Sequence, residues 1–412
     1  MIEKFYSPGV GLDHLRRGAL AIHIDGFAGL LAHQGYATPT ARLKIRLVAD
    51  LSNWLDRSHF DVGDLLEDQI QEFLKARKKQ SLLRRGDSWT LTQLLAHLRR
   101  EGTVYPQRTS AVATPIDRIT RAYADFLIQE RGLRPATLAN YVPVARRFLE
   151  AKFGAGKLFW NKLHLKDVTE FVVRRSSTGS PKRAQTDGSA LRSFLGFLTK
   201  QGEVSASLAA SVPTVANWRL AELPQFLQPA EVEKLLRSCD RKTATGRRDY
   251  ALLLLLARLG LRAGEVVHLT LESINWAAGE VLIHGKSARE DRLPLPPDVG
   301  RALATYIRRD RPACSSRRVF IRMKAPRQGF ANSVAVCTIL KRALRRAELH
   351  PQKMGAHLLR RSLATKMLRR GASLAQIGEV LRHQLAQTTE IYAKVDLAAL
   401  RPLAQPWPGG AR

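Results

Sequence analysis

Between His357 and Tyr392 the chain reads HLLRRSLATKMLRRGASLAQIGEVLRHQLAQTTEIY, which places His357, Arg360, His383 and Tyr392 in one stretch. These side chains can move a proton, hold an anion and supply an oxygen nucleophile, a set suited to phosphate chemistry. The local pattern says how they are carried. Leu359, Leu363, Met367 and Leu368 at helical spacing predict a helix over Leu358 to Arg370, stopped by Gly371. Ser373 with Gln376 is a capping box that opens a second helix, with Leu374, Ile377 and Leu381 on one face and His383 at its end. A Thr-Thr turn then leads into a short helix bearing Tyr392. The candidate groups thus stand at helix ends, where side chains can converge on one cleft.

Composition agrees with a phosphate-rich partner. The 412 residues hold 67 Lys and Arg against 36 Asp and Glu, a net charge of +31. Such a surplus points to a polyanion, and double-stranded DNA is the expected partner. The hydrophobic content of 45% stays globular, and the length allows two or three domains with their own cores. A ribosomal protein would fit the charge but not this length or three globular segments. Cys239, Cys314 and Cys337 form no CxxC pair and lack neighbouring histidines, which argues against structural zinc and against a disulfide framework. No cofactor or metal is expected. The longest apolar run, Ala251 to Ala257, is far too short to cross a bilayer, and there is no signal pattern. The expectation is a reduced, soluble, cytoplasmic protein associated with the nucleoid, with no membrane contact.

The elements fall into three segments. Residues 1–106 read as an extra helical domain. Leu43, Leu47, Leu51 and Leu55 predict one apolar stripe, a second amphipathic helix follows, and KARKKQSLLRRGD reads as a basic loop or DNA-facing strip. Residues 113–204 read as a second helical domain, with Pro135 in the first turn of a helix striped by Leu138, Tyr141, Ala145, Phe148 and Leu149. The two segments resemble each other: Phe27 to Leu31 before Gly35-Tyr36 parallels Tyr123 to Leu127 before Gly132-Leu133, an internal duplication. Two unrelated helix pairs are the plainer alternative. Residues 225–405 form the third domain, mostly helical. Within it GEVLIHGKSAREDRLPLP alternates as a hairpin, with Val281 and Ile283 on one strand and Leu293 and Leu295 on the other.

Residues 113 to 400 resemble the tyrosine recombinases, or phage integrase family. The resemblance lies in Gly260-Leu261-Arg262-Ala263-Gly264-Glu265, His284-Gly285-Lys286, His357-x-x-Arg360, Leu381-Arg382-His383 and Tyr392. Arg262 and Lys286 stand 24 residues apart, Arg360 and His383 23, and His383 and Tyr392 nine, intervals similar to the family's. Taken singly each member is ordinary: Tyr392 could be a packing aromatic and His383 a helix cap. The ordered set carries the reading.

The resemblance implies a mainly α fold with a small antiparallel β-sheet, in which helical core-binding domains precede a mixed α+β catalytic domain. It implies a site-specific recombinase acting through a 3′-phosphotyrosine at Tyr392. Arg262 and Arg360 would clamp the phosphate, Lys286 would be the general acid, and His357 and His383 would assist. Glu265 would orient its neighbours. It further implies a homo-tetramer on paired sites, with or without partner recombinases, serving a mobile element by integration, excision or transposition. A DNA-binding accessory protein without catalysis and a type IB topoisomerase are the alternatives. Two positions depart from the family pattern. Arg361 stands where a second His is common, and Arg382 replaces the usual Gly before His383.

Overall fold

The computed structural model describes residues 1–7, 12–80, 83–105, 114–154, 156–215, 223–285, 290–395 and 400–403. Two compact units result, one built from 1–105 with 222–412 and the other from 106–221.

In the first unit, the amino-terminal part consists of α1 (Ile24–His33), α2 (Thr38–Arg57), α3 (Glu67–Gln80) and α4 (Asp87–Arg100). Phe27, Leu31, Ile45, Leu51, Leu55, Leu94 and Leu98 are among its fully buried residues. The predicted leucine stripe holds only in part, since Leu47, Leu51 and Leu55 are buried while Leu43 is exposed. Four-residue steps advance about 400°, so such a stripe drifts about 40° per step, and the first leucine rotates off the core face. Ile45 and Val48 fill that face instead. The first half of the basic run, expected as a loop or DNA-facing strip, continues α3 through Arg77, Lys78 and Lys79, with Arg77 paired to Asp50 at 2.5 Å, while residues 83–86 are the expected loop. The turn after α1 meets the carboxy-terminal part of the unit, where the Arg327 amide donates to the Gln34 carbonyl at 2.9 Å.

The second unit has the same helical order: α5 (Pro115–Gln129), α6 (Pro135–Phe153), α7 (Leu165–Thr178) and α8 (Pro181–Lys200), followed by the short α9 (Ala206–Ala210). Its core holds Tyr123, Phe148, Phe194 and Leu198. The exits of α4 and α8 match closely. Gly102 and Gly202 both take positive φ, at 73° and 75°, and the Thr103 and Glu203 amides each donate at 3.0 Å to the carbonyls of Leu98 and Leu198. A left-handed residue after a helix is where glycine costs least.

The carboxy-terminal part of the first unit is built on α10 (Pro229–Arg237), α11 (Ala244–Leu259) and α12 (Ala263–His268). After them come β1 (Ile274–Asn275), β2 (Glu280–His284) and β3 (Glu290–Pro294), then α13 (Pro297–Arg309), α14 (Ser333–Arg346), α15 (His357–Leu368) and α16 (Leu374–Val380). Leu252 to Leu256 are all buried, so α11 is the axis of this core. The sheet is antiparallel in the order β1-β2-β3, with Val281 opposite Leu293 and Ile274 opposite Val281. The hairpin was legible, but β1 was not, because two residues are too few to show alternation. Mostly helical with one small antiparallel sheet is thus the observed fold class. Among the described residues no helix is long and apolar enough to cross a membrane.

Candidate active site

Helix α11 ends at Gly260, whose φ of 58° is left-handed. The left-handed conformation favours glycine, and a Cβ there would also crowd Leu381 Cδ2 at 2.7 Å and Leu363 Cδ2 at 3.1 Å. That turn delivers Arg262 as the residue capping α12, where its amide donates to Glu265 Oε2 at 2.7 Å. The Arg262 guanidinium then donates to Glu265 Oε1 at 2.8 Å and to the Arg382 carbonyl at 3.2 Å. The side chain is 32% exposed, so it reaches solvent while its direction is set from behind.

Arg360 stands in the first turn of α15 and is almost wholly buried. Its Nη1 donates to the Gly260 carbonyl at 2.5 Å and its Nη2 donates to the Leu381 carbonyl. These bonds use two of its five N–H donors and tie the ends of α11 and α16 to α15. Burial and the charges of Arg262 and Arg382 bring its pKa down to about 10, so it remains a cation at neutral pH. His357 opens α15 and keeps part of its surface in solvent. Protein packed around the rest of it displaces water and lowers its pKa, and Arg360, Arg361 and Arg262 lower it further.

His383 follows α16, with its amide bonded to the Gly378 carbonyl at 2.9 Å. Its Nδ1 is paired with the buried Thr389 hydroxyl at 2.8 Å, so Nε2 is the ring nitrogen that remains. Burial first, then Arg360, Arg262 and Arg382, push its pKa down to about 4. It is neutral at pH 7. Tyr392 lies in a 3₁₀ helix, Glu390–Val395, and is 3% exposed against Ala364, Ile377 and Leu381. Its ring stacks on His383 at 6.5 Å and 8°. Burial raises the phenol pKa, while Arg360 and Arg361 pull it the other way.

The structure thus brings Arg262, His357, Arg360, His383 and Tyr392 to the junction of α11, α12, α15 and α16. Lys286 lies outside the described residues. The strands on either side of it are paired, with His284 opposite Glu290. Sequence reasoning noted Arg382 only as a departure and missed its role as a contact. Arg382 has φ 55°, the conformation that makes glycine usual at such a position, and its side chain is 6% exposed. Its Nη2 donates to Glu265 Oε2 at 2.7 Å. The one signal that could have pointed to it was a buried-facing charge in place of a glycine. Thr389, also missed, carried no signal beyond the Thr-Thr turn. A cleft of about 570 Å³ lined by Asp291, Arg382, His383 and Thr389 opens beside these groups.

Two arginines, two histidines and a buried tyrosine thus meet on a mainly helical scaffold. Residues 225–398 match the Phage integrase family, and residues 121–202 match the phage integrase N-terminal SAM-like domain. A Sinorhizobium fredii protein bearing the name integrase/recombinase y4rA is 41% identical over 412 residues, with all of both chains covered. The tyrosine recombinase XerC of Oceanobacillus iheyensis is 29% identical over 68% of this chain and 92% of its own. The crystal structure of the XerH site-specific recombinase on a palindromic difH substrate shares the fold, with a TM-score of 0.56 at 21% identity over 70% of this chain and 84% of that one. The chain belongs to the phage integrase family, the tyrosine-type site-specific DNA recombinases.

Proposed function

We propose that the protein cuts and rejoins DNA strands at specific sites through a 3′-phosphotyrosine on Tyr392. The phenolic oxygen attacks phosphorus, the bond to the 5′-oxygen breaks, and the leaving oxygen takes a proton from Lys286. The tyrosine proton passes to His357, whose lowered pKa favours the neutral form that can accept it. Negative charge building on the non-bridging oxygens is met by Arg262 and Arg360, and His383 contributes an Nε2 hydrogen bond. Each preorganised donor of this kind is worth about 10² to 10³ in rate. Religation reverses the step with a 5′-hydroxyl from another strand, so the phosphodiester energy is conserved in the tyrosyl link. Because the phenol is buried here, the 390–395 segment must turn outward to reach phosphorus.

The segments divide the remaining work. Residues 225–405 form the catalytic domain and 113–204 the core-binding domain. Residues 106–221 hold 18 Lys and Arg against 8 Asp and Glu, a net charge of +10, in keeping with a duplex partner. Residues 1–105 hold 15 against 12, only +3, on a like order of helices. That module is an extra domain whose contribution to affinity is the smaller one. Assembly of four copies on two sites, nucleoid residence and service to a mobile element complete the reading.

The observation that carries it is the joint placement of Arg262, Arg360, His383 and Tyr392 at one junction. The test is to incubate the protein, in EDTA, with supercoiled DNA carrying the flanks of its own gene and to stop the reaction with SDS. A protein–DNA adduct lost in Tyr392→Phe supports the reading. Tight, salt-dependent binding with no adduct under any condition would overturn it.

A further inference from the structure

Among the described residues, Arg382 is the one buried cation of the site that the resemblance does not account for. Three independent features single it out. Its backbone adopts φ 55°, a conformation that an arginine reaches only against a steric cost and a glycine reaches freely. Its side chain is 94% buried, and Nη2 is spent on a 2.7 Å bond to Glu265, which is itself 6% exposed. Its carbonyl, on the other side, receives Arg262 Nη2 at 3.2 Å. An exposed arginine at a left-handed turn would be a tolerated accident. A buried one, gripping from both side chain and backbone, has something to hold.

What it holds is Glu265. That carboxylate receives the Arg262 amide and Arg382 Nη2 on Oε2, and Arg262 Nη1 on Oε1. Without Arg382, Oε2 would retain only the Arg262 amide, and the carboxylate would be freer to rotate away from the guanidinium. Asp291 on β3 also faces Arg382, but at 3.7 Å from Nε it is beyond hydrogen-bond reach and therefore the weaker partner. Among the described residues, Nε and Nη1 of Arg382 have no hydrogen-bond partner, so Glu265 takes most of its directional bonding.

We propose that Arg382 is a positioning residue that locks the Glu265 carboxylate and, through it and through its own carbonyl, aims Arg262 at the scissile phosphate. The inference rests on the functional reading above. Glycine at this position supplies the carbonyl but not the side-chain lock, so this chain holds its clamp by a device that a glycine lacks. The charge of Arg382 also adds a smaller share, after burial, Arg360 and Arg262, to what keeps His383 neutral.

The experiment measures single-turnover cleavage of a nicked half-site substrate, which traps the covalent product, together with DNA affinity and thermal melting. Arg382→Gly should fold, bind DNA with unchanged affinity and cleave about tenfold more slowly, below the full cost of losing a clamp donor. Arg382→Lys, which keeps a charge but not the fork, should recover part of the rate. The decisive comparison is a double-mutant cycle. Arg382→Gly added to Glu265→Gln should cost almost nothing further, because both act on the same bond. A substrate with sulfur at the bridging 5′ position, whose leaving group needs no proton, should not rescue Arg382→Gly, since the defect lies in the clamp rather than the acid. Full cleavage by Arg382→Gly, effects that multiply in the double variant, or complete rescue by the 5′-sulfur substrate would each overturn the proposal. If Arg382→Gly melts without cooperativity, the cycle run with Arg382→Lys decides by the same criterion. A wild-type protein that forms no adduct would overturn the functional reading, and this inference with it. A wild-type protein that cleaves beside an equally active variant overturns the inference alone.

Discussion

Arg262 and Tyr392 stand on different footings. Arg262 starts a helix braced by the large core around α11, and its guanidinium is held at Glu265 and at the Arg382 carbonyl. Tyr392 stands in a six-residue 3₁₀ helix supported by a small satellite cluster in which Ala364, Ile377 and Leu381 are the other buried members. Short 3₁₀ segments have poorer hydrogen-bond geometry, and local opening is cheapest where few apolar groups are buried. The contrast is physically sensible. Charges that stabilise a transition state act best when fixed in advance. A nucleophile that must enter and leave a phosphodiester is better carried on an element that opens at low cost.

The comparison can be broken at either end. The largest effect belongs to the proposed nucleophile: Tyr392→Phe should lower single-turnover cleavage by on the order of 10⁶ while leaving DNA affinity intact in a filter-binding assay. On the clamp side, Arg262→Ala and Arg360→Ala should each lower cleavage by about 10² to 10³. They should differ in stability. Arg360→Ala strips donors from the Gly260 and Leu381 carbonyls and should cost about 1–3 kcal/mol in urea unfolding, whereas the partly exposed Arg262 should cost less. Equal losses of stability would contradict the assigned burial.

Leu381→Ala sharpens the other side. A buried leucine truncated to alanine costs about 2–5 kcal/mol, and here the loss should be local. Amide exchange should accelerate across 386–395 while α11 stays protected. Uniform acceleration of both would remove the distinction between the two regions. The smallest effect is in pH. The folded pKa of His383, about 4, lies below its unfolded value near 6.5, so the unfolded chain binds the proton more readily between them. Its contribution to stability is complete above pH 6.5 and declines as pH falls towards 4. His383→Gln should therefore lose less stability than the wild type between pH 7 and pH 5, measured by urea unfolding at both values.

Much of this site was legible beforehand because its residues sit at helix boundaries, and boundaries have sequence marks. Gly260 ends α11, Ser373 and Gln376 cap α16, and the spacing from His357 to Tyr392 survives folding. Less legible were features set by partners distant in sequence. Glu265 and Arg382 meet across 117 positions, and nothing local to either reveals the bond. Strand β1 is too short for any periodicity, and α3 runs on through a basic segment whose Arg77 pairs with Asp50 on the neighbouring helix, a partner its local sequence does not show. Leu43 failed as a core residue for geometric reasons alone.

The central claim is that Tyr392 becomes covalently joined to DNA. The most direct measurement is mass spectrometry of the trapped adduct after digestion with nuclease and trypsin. The account predicts a nucleotide on the peptide spanning residues 383–394, localised to Tyr392. A nucleotide on any other residue, or an unmodified 383–394 peptide from a DNA-linked protein, would contradict it.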